Sequence, residues 1–319
     1  MRALLPLFLA AAAYAAAPCT TATTACTEFV TLGGGPARTM VYRTYPLTVK
    51  NEKITRALIV IHETNRDAEN CFRSALAAAF LAGALDDTVL IAPHIASAAA
   101  GCKDKLAPNE VNWSCGPWRT GGASVTDDKL TTFDMMDDIL EMLARKSAFP
   151  NLKGIVVAGH SAGGQFVNRY EMSNRVHETL GVPVRYVVSN PSSYAWIDST
   201  RPDEVNQACP NYNHWPYGFE DRSGYAARLS DEELKKQLAS RPTTYLLGEI
   251  DILPLGGFDQ SCAAMRQGPT RLARGQAFGK YVDAQLGAKH DIVVVPLCGH
   301  NARCMFTADV ALPLLFPKW

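Results

Sequence analysis

A serine framed by glycines is the first chemically suggestive feature of the chain. Residues 159–164 read Gly-His-Ser-Ala-Gly-Gly, a G-x-S-x-G string centred on Ser161. A serine hydroxyl is a weak nucleophile until a sharp turn pushes it out of the backbone toward a base. The glycines either side relieve the crowding such a turn creates. The string recurs by chance, so its weight comes from context: an apolar run over 155–158 before it and a helical pattern over 162–177 after it. In that setting the Ala162 N–H lies at an open helix N-terminus, where it can hydrogen-bond an oxygen that gains negative charge. An activated serine also needs an imidazole. Val293-Val294-Val295-Pro296-Leu297-Cys298-Gly299-His300 ends a strand-like run in a Gly-His pair near the C-terminus, which makes His300 the candidate base. A third group must orient that ring and stabilise its cation, so a carboxylate is expected on the loop after the preceding strand. Residues 243–247 run into Gly248-Glu249-Ile250-Asp251, giving Asp251 as first choice and Glu249 as second. Asp259 lies farther from a strand end, and Asp291 sits before a strand. Cys298, His300 and Cys304 have metal-ligand residue types but no clear fourth partner, so no metal is assigned. The chemistry outlined calls for no cofactor.

These residues need a scaffold, and the pattern of apolar residues supplies one. Strands are expected over 38–45, 57–61, 89–92, 155–158, 184–189, 243–247 and 292–295, with helices over 69–84, 127–146, 162–177, 230–240 and 271–286. Strand and helix take turns, and the strands are continuously apolar rather than alternating. That argues for an α/β fold with a mostly parallel central sheet covered by helices on both faces. Residues 95–123 form a long irregular stretch, either functional or tied by disulfides. Residues 191–242 break the rhythm with aromatic and proline-rich sequence and are expected to form a small cap-like insertion in a single domain spanning 18–319. Within it, Tyr194 and Trp196 follow a strand and should emerge on the nucleophile's side, as should Trp113 and Trp118 after an earlier strand. These four are the candidates to hold an acyl or aryl group. His160 is expected to pack against the sheet and His62 to order its own turn, with His214 and Trp215 lining the mouth of the pocket.

With the elbow, the Gly-His pair and the order serine, acid, histidine in place, the chain resembles an α/β-hydrolase. More narrowly it resembles secreted serine esterases of the depolymerase and feruloyl-esterase type, over about residues 38–310. In those enzymes the first long strand ends in a His-Gly-x turn, matched here by Leu58-Ile59-Val60-Ile61-His62-Glu63-Thr64-Asn65-Arg66 with Glu63 at the glycine position. By position, the resemblance implies that Thr64 supplies a second oxyanion N–H. It implies hydrolysis of a small-molecule or polymeric carboxylic ester through an acyl-enzyme. A peptidase or acyltransferase on the same three residues, or a noncatalytic binding protein with the same fold, are the competing expectations.

Composition narrows the setting. The 319 residues are 47% hydrophobic, enough for a large core, and Lys plus Arg equals Asp plus Glu at 31 each. Nucleic acid and anionic membranes, which are held by surplus cations, are therefore unexpected partners. Met1-Arg2 followed by an apolar, alanine-rich run to Ala17 is too short to span a bilayer and reads as a secretory signal peptide, with Ala13-Tyr14-Ala15 or residues 15–17 at the cut. No later run is long enough for stable membrane insertion. An exported chain, secreted or periplasmic, tends to oxidise its thiols, and all nine cysteines lie beyond the leader. Cys19 with Cys26, Cys102 with Cys115, Cys298 with Cys304 and, over a longer span, Cys209 with Cys262 are plausible pairs that leave one cysteine over. The oligomeric state is left open.

Overall fold

The Val- and Ile-rich runs assemble into an eight-stranded sheet in the computed structural model, which describes residues 17–202 and 208–319. The expected leader, apart from Ala17, lies outside the described residues. In chain order the strands are β1 (Thr27–Thr31), β2 (Arg38–Arg43), β3 (Arg56–Ile61), β4 (Thr88–Pro93), β5 (Gly154–His160), β6 (Val184–Ser189), β7 (Thr243–Gly248) and β8 (Asp291–Val295). The helices are α1 (Ala68–Leu81), α2 (Thr132–Ala144), α3 (Ala162–Ser173), α4 (Asp231–Ser240), α5 (Cys262–Met265), α6 (Arg271–Leu286), α7 (Ala302–Thr307) and α8 (Leu312–Leu315). Spatial order is β1-β2-β4-β3-β5-β6-β7-β8. The first two strands pair antiparallel, and every pairing among β3 to β8 is parallel. The expected mostly parallel sheet is thus present, and β1 is an added edge strand that the sequence reading did not include.

Side-chain alternation along the strands feeds two cores. Ile59, Ile61, Ile155, Val157, Val188 and Leu247 face one, packed by residues of α2, α3, α4 and α6. Leu58, Val60, Val156, Ala158 and Leu246 face the other, packed by α1, α7 and α8. Helices therefore cover both faces of the central strands, which is why β3 to β7 are buried along nearly their whole length. The helix expected from residue 127 starts at Thr132 instead, because Thr131 and Asp134 form a reciprocal capping box there.

The expected cysteine pairs all occur, with Cα separations of 5.5 Å for Cys19–Cys26, 6.0 Å for Cys102–Cys115, and 5.8 Å for both Cys209–Cys262 and Cys298–Cys304. Cys71 is the one left over, buried on α1, where burial pushes its thiol up. The long 95–123 stretch is tied by Cys102–Cys115 and by an Arg66–Asp104 ion pair of 2.9 Å. Among the described residues no helix is long and apolar enough to cross a membrane.

The described residues of segment 191–242 pack on the α3 side of the sheet. Trp196 donates its backbone N–H to Tyr217, Arg169 of α3 reaches the Pro216 carbonyl, and the Trp215 indole N–H reaches the Thr120 carbonyl. Cys209–Cys262 joins this segment to α5.

Candidate active site

Parallel strands deliver their C-terminal ends to one edge of the sheet, and the site is built there. Ser161 follows β5 at φ 57° and ψ −116°, a left-handed φ that a residue with a Cβ adopts only under constraint. The flanking glycines explain how the turn fits. A Cβ at Gly159 would strike the Gly163 carbonyl, one at Gly163 the Ile61 carbonyl, and one at Gly164 the Ser189 carbonyl.

Three residues far apart in sequence meet at this turn. Ser161 Oγ lies 2.9 Å from His300 Nε2, and His300 Nδ1 lies 2.8 Å from Asp251 Oδ2. A carboxylate only accepts, so Nδ1 carries the hydrogen that it donates to Asp251. Nε2 is then left to accept from the serine hydroxyl, the tautomer a base toward that hydroxyl requires. Asp251 and Ser161 are 2% and 5% exposed. Glu249, the second choice for the acid, instead accepts from the Leu297 backbone N–H. Asp259 accepts from the Tyr217 hydroxyl, and Asp291 begins β8.

Ala162 opens α3, so its N–H has no carbonyl one turn earlier in the helix. Thr64 sits exposed in the turn after β3, and that turn crosses close to the start of α3, where Gly163 abuts the Ile61 and His62 carbonyls. His62 orders this turn. Its Nδ1–H donates to the Glu63 carbonyl and its Nε2 accepts from the Ile95 N–H, while burial drives its imidazole down to about 3.

The aromatic candidates are elsewhere. Trp113, Trp118, Tyr194 and Trp196 are each at least 98% buried in the core on the α3 side. Trp118 packs on His62 at 4.9 Å between ring centroids, Tyr194 on Phe278 at 4.6 Å and Trp196 on Tyr281 at 4.3 Å. They shore up the walls and the α6 contact and do not line the cavity beside His300. That cavity, about 380 Å³, lies between α1 and α7 and is bounded by Glu63, Arg73, His160, His300, Arg303 and Phe306 among others. None of the described residues of 191–242 contributes to it, and His214 faces Glu220 and Asp221 within its own segment. Cys298 and Cys304 are joined to each other, so neither is available as a thiolate ligand.

Two supporting residues escaped the sequence reading. Arg271, at the start of α6, is fully buried and extends Nη1 to within 3.4 Å of Asp251 Oδ1, Nε to Ser192 Oγ at 2.9 Å and Nη2 to the Gly256 carbonyl at 2.9 Å. Burial lowers its guanidinium, with Asp251 opposing. The available signal was an arginine in a helix's first turn, where the backbone dipole disfavours a cation unless a carboxylate lies near. Asn190, after β6, accepts from the Gly248 N–H at 2.8 Å and reaches the Gly299 carbonyl at 3.4 Å, tying the end of β7 to the loop of His300.

No protein-family model matches the sequence, and no curated protein matches it. Among solved structures the chain is similar to poly(aspartic acid) hydrolase-1 from Sphingomonas sp. KT-1, with a TM-score of 0.65 and 23% identity over 91% of this chain and 97% of that one. It is also similar to a poly(3-hydroxybutyrate) depolymerase from Bordetella parapertussis, with a TM-score of 0.61 and 21% identity over 89% of this chain and 85% of the other. At this identity the likeness speaks to architecture, and the chain has the α/β-hydrolase fold.

Proposed function

We propose that this chain is an exported serine hydrolase that cleaves carboxylic esters through an acyl-enzyme. The observation that carries the reading is the continuous hydrogen-bonded line from the Ser161 hydroxyl through His300 to the buried Asp251 carboxylate. In this route the Ser161 oxygen attacks the ester carbonyl carbon while His300 Nε2 takes the hydroxyl proton. The carbonyl oxygen becomes an oxyanion, met by the Ala162 N–H and by the Thr64 N–H of the neighbouring turn. Collapse of the tetrahedral intermediate breaks the bond to the alcohol, which leaves with the proton held on His300. Water then repeats these steps on the acyl-serine and releases the acid. Asp251 keeps the imidazole in its tautomer and stabilises its cation throughout. No step calls on a metal or organic cofactor.

Four disulfides favour an extracytoplasmic location, in keeping with the apolar leader. The balanced charge and polar cavity rim favour a small or polymeric ester and not a nucleic acid. A second reading, hydrolysis of an amide, takes support from the name of the Sphingomonas protein, and Arg303 at the cavity suits a carboxylate-bearing substrate of either class. We assign 191–242 to the same domain as a cap-like insertion, its described residues lying outside the cavity wall.

The test pairs chemistry with labelling. A fluorophosphonate should label the wild-type protein at Ser161, and Ser161→Ala should lose about four to six orders of magnitude in p-nitrophenyl ester turnover with its fold intact. Retained turnover in that variant would discard the mechanism, and an amide panel run beside the esters separates the two substrate classes.

A further inference from the structure

Beside His300 stands a second imidazole with a carboxylate of its own. His160, the last residue of β5, is buried, and its ring lies 4.6 Å from that of His300 between centroids, tilted by 39°. Its Nδ1 is 3.0 Å from Glu63 Oε1 and its Nε2 is 3.4 Å from Asn190 Nδ2. The carboxylate can only accept, so Nδ1–H donates to Glu63 and Nε2 accepts from the Asn190 amide. That amide also reaches the Gly299 carbonyl, one residue before His300. Burial holds the His160 imidazole below its ordinary range, with the Glu63 carboxylate opposing. Burial also raises the Glu63 carboxyl, but the hydrogen bond from His160 and the nearby His160, His300 and Arg271 outweigh it and leave the group below the usual carboxylate range.

We propose that Glu63 and His160 form a positioning pair that fixes the ring of His300 and places a second negative charge beside it. The proposal rests on the serine-hydrolase reading above. Asp251 anchors Nδ1 of His300, and once the Ser161 oxygen is acylated and Nε2 loses its hydroxyl partner the ring can pivot about that one bond; the face of His160 limits that pivot. Glu63 in turn decides which nitrogen of His160 carries the hydrogen. Were the hydrogen on Nε2, it would meet the Asn190 amide donor to donor and push Asn190 off the loop of His300. One carboxylate thus reaches the base by two routes, ring contact and loop.

The charged and titratable groups around His300 are few. Asp251 bonds its Nδ1, with Arg271 on the far side of that carboxylate; His160 and Glu63 lie beside the ring; Asp67, the Cys71 thiol, Arg73 and Arg303 share its cavity, with Arg73 paired to Glu69. Removing the Glu63 charge should therefore favour the neutral base without disturbing its anchor. A carboxamide keeps an acceptor for His160 and removes only the charge, whereas alanine removes both.

The experiment uses the whole protein, labelled with a fluorophosphonate and assayed on a p-nitrophenyl ester from pH 5 to 9. Glu63→Gln should move the acid limb of kcat/KM toward lower pH by about half a unit. Glu63→Ala should lower kcat by about tenfold while KM stays within about twofold. Glu232→Gln, the same charge change on the exposed first turn of α4, should do neither. An acid limb unmoved in Glu63→Gln overturns the electrostatic part, and a wild-type kcat in Glu63→Ala overturns the positioning part. Should alanine fail to fold, the carboxamide variant still decides the first. A wild-type protein that neither labels nor turns over would instead sink the serine-hydrolase reading.

Discussion

Arg271 and Asp251 place opposite charges where neither side chain is more than 1% exposed. Two ions out of water are tolerated only when each is satisfied, and here Arg271 also bonds Ser192 and Gly256 while Asp251 also accepts from His300. Arg271→Met leaves the carboxylate buried without its counter-charge. The expected outcome is a loss of about 3 kcal/mol or more in urea denaturation, together with a fall in kcat on a p-nitrophenyl ester. A variant as stable as wild type would mean that water reaches Asp251. Ser161, Asp251 and His300 were legible in the sequence because each follows an apolar run and sits within two or three residues of a glycine. Arg271, Asn190 and the Glu63–His160 pair were not, because they act across segments that only the folded sheet brings together. Trp118 and Tyr194 misled for a related reason. An aromatic residue after a strand has the same local sequence whether its ring faces a cavity or the core.

His300 depends on a short loop closed at both ends. β8 fixes its start, Cys298–Cys304 clamps it, and Asn301 caps α7 by accepting from the Cys304 N–H. Loop-closure entropy predicts that this disulfide, spanning 6 residues, contributes less stability than Cys209–Cys262, spanning 53, by about 2 against about 4 kcal/mol. Position predicts the reverse for activity. Replacing Cys298 and Cys304 together by alanine should cost more kcat and less stability than the same change at Cys209 and Cys262, read by ester assay and urea denaturation on both variants. If the longer bridge proves the more important for activity, the clamp on His300 is not what the loop needs. The strands and long helices were legible because continuous Val and Ile runs alternating with helical periods have few readings. α5, α7 and α8 were not, since four to six residues are too few to show a period. β1, a half-exposed edge strand, lacks the apolar run that marked its neighbours.

Across the whole molecule, burying titratable groups ties stability to pH in two opposing ways. Burial drives the imidazoles of His62 and His177 down to about 3 and about 4. The fold keeps them neutral while the unfolded chain protonates near 6.5, so their contribution is whole above that pH and drains away as pH falls toward 4 and 3. Burial pushes Asp137 up to about 7, against hydrogen bonds from the Tyr225 and Tyr170 hydroxyls, and Glu171 up to about 8, against Thr243 and Asn168. Unfolded, these carboxyls ionise near pH 4, so their contribution is whole below that and is lost as pH rises through 7 and 8. The opposed slopes cancel between about pH 4.5 and about pH 6.5, so this set gives a broad stability maximum across that range. Asp137→Asn isolates one slope. An amide cannot ionise, yet it can accept from one tyrosine hydroxyl and donate to the other. Each retained proton is worth about 1.4 kcal/mol per pH unit. The variant should therefore gain about 2 kcal/mol relative to wild type between pH 5 and pH 7, measured by urea denaturation at both. A difference between the two proteins that does not change with pH would mean that Asp137 is ionised in the fold, with its two tyrosines holding the charge against burial.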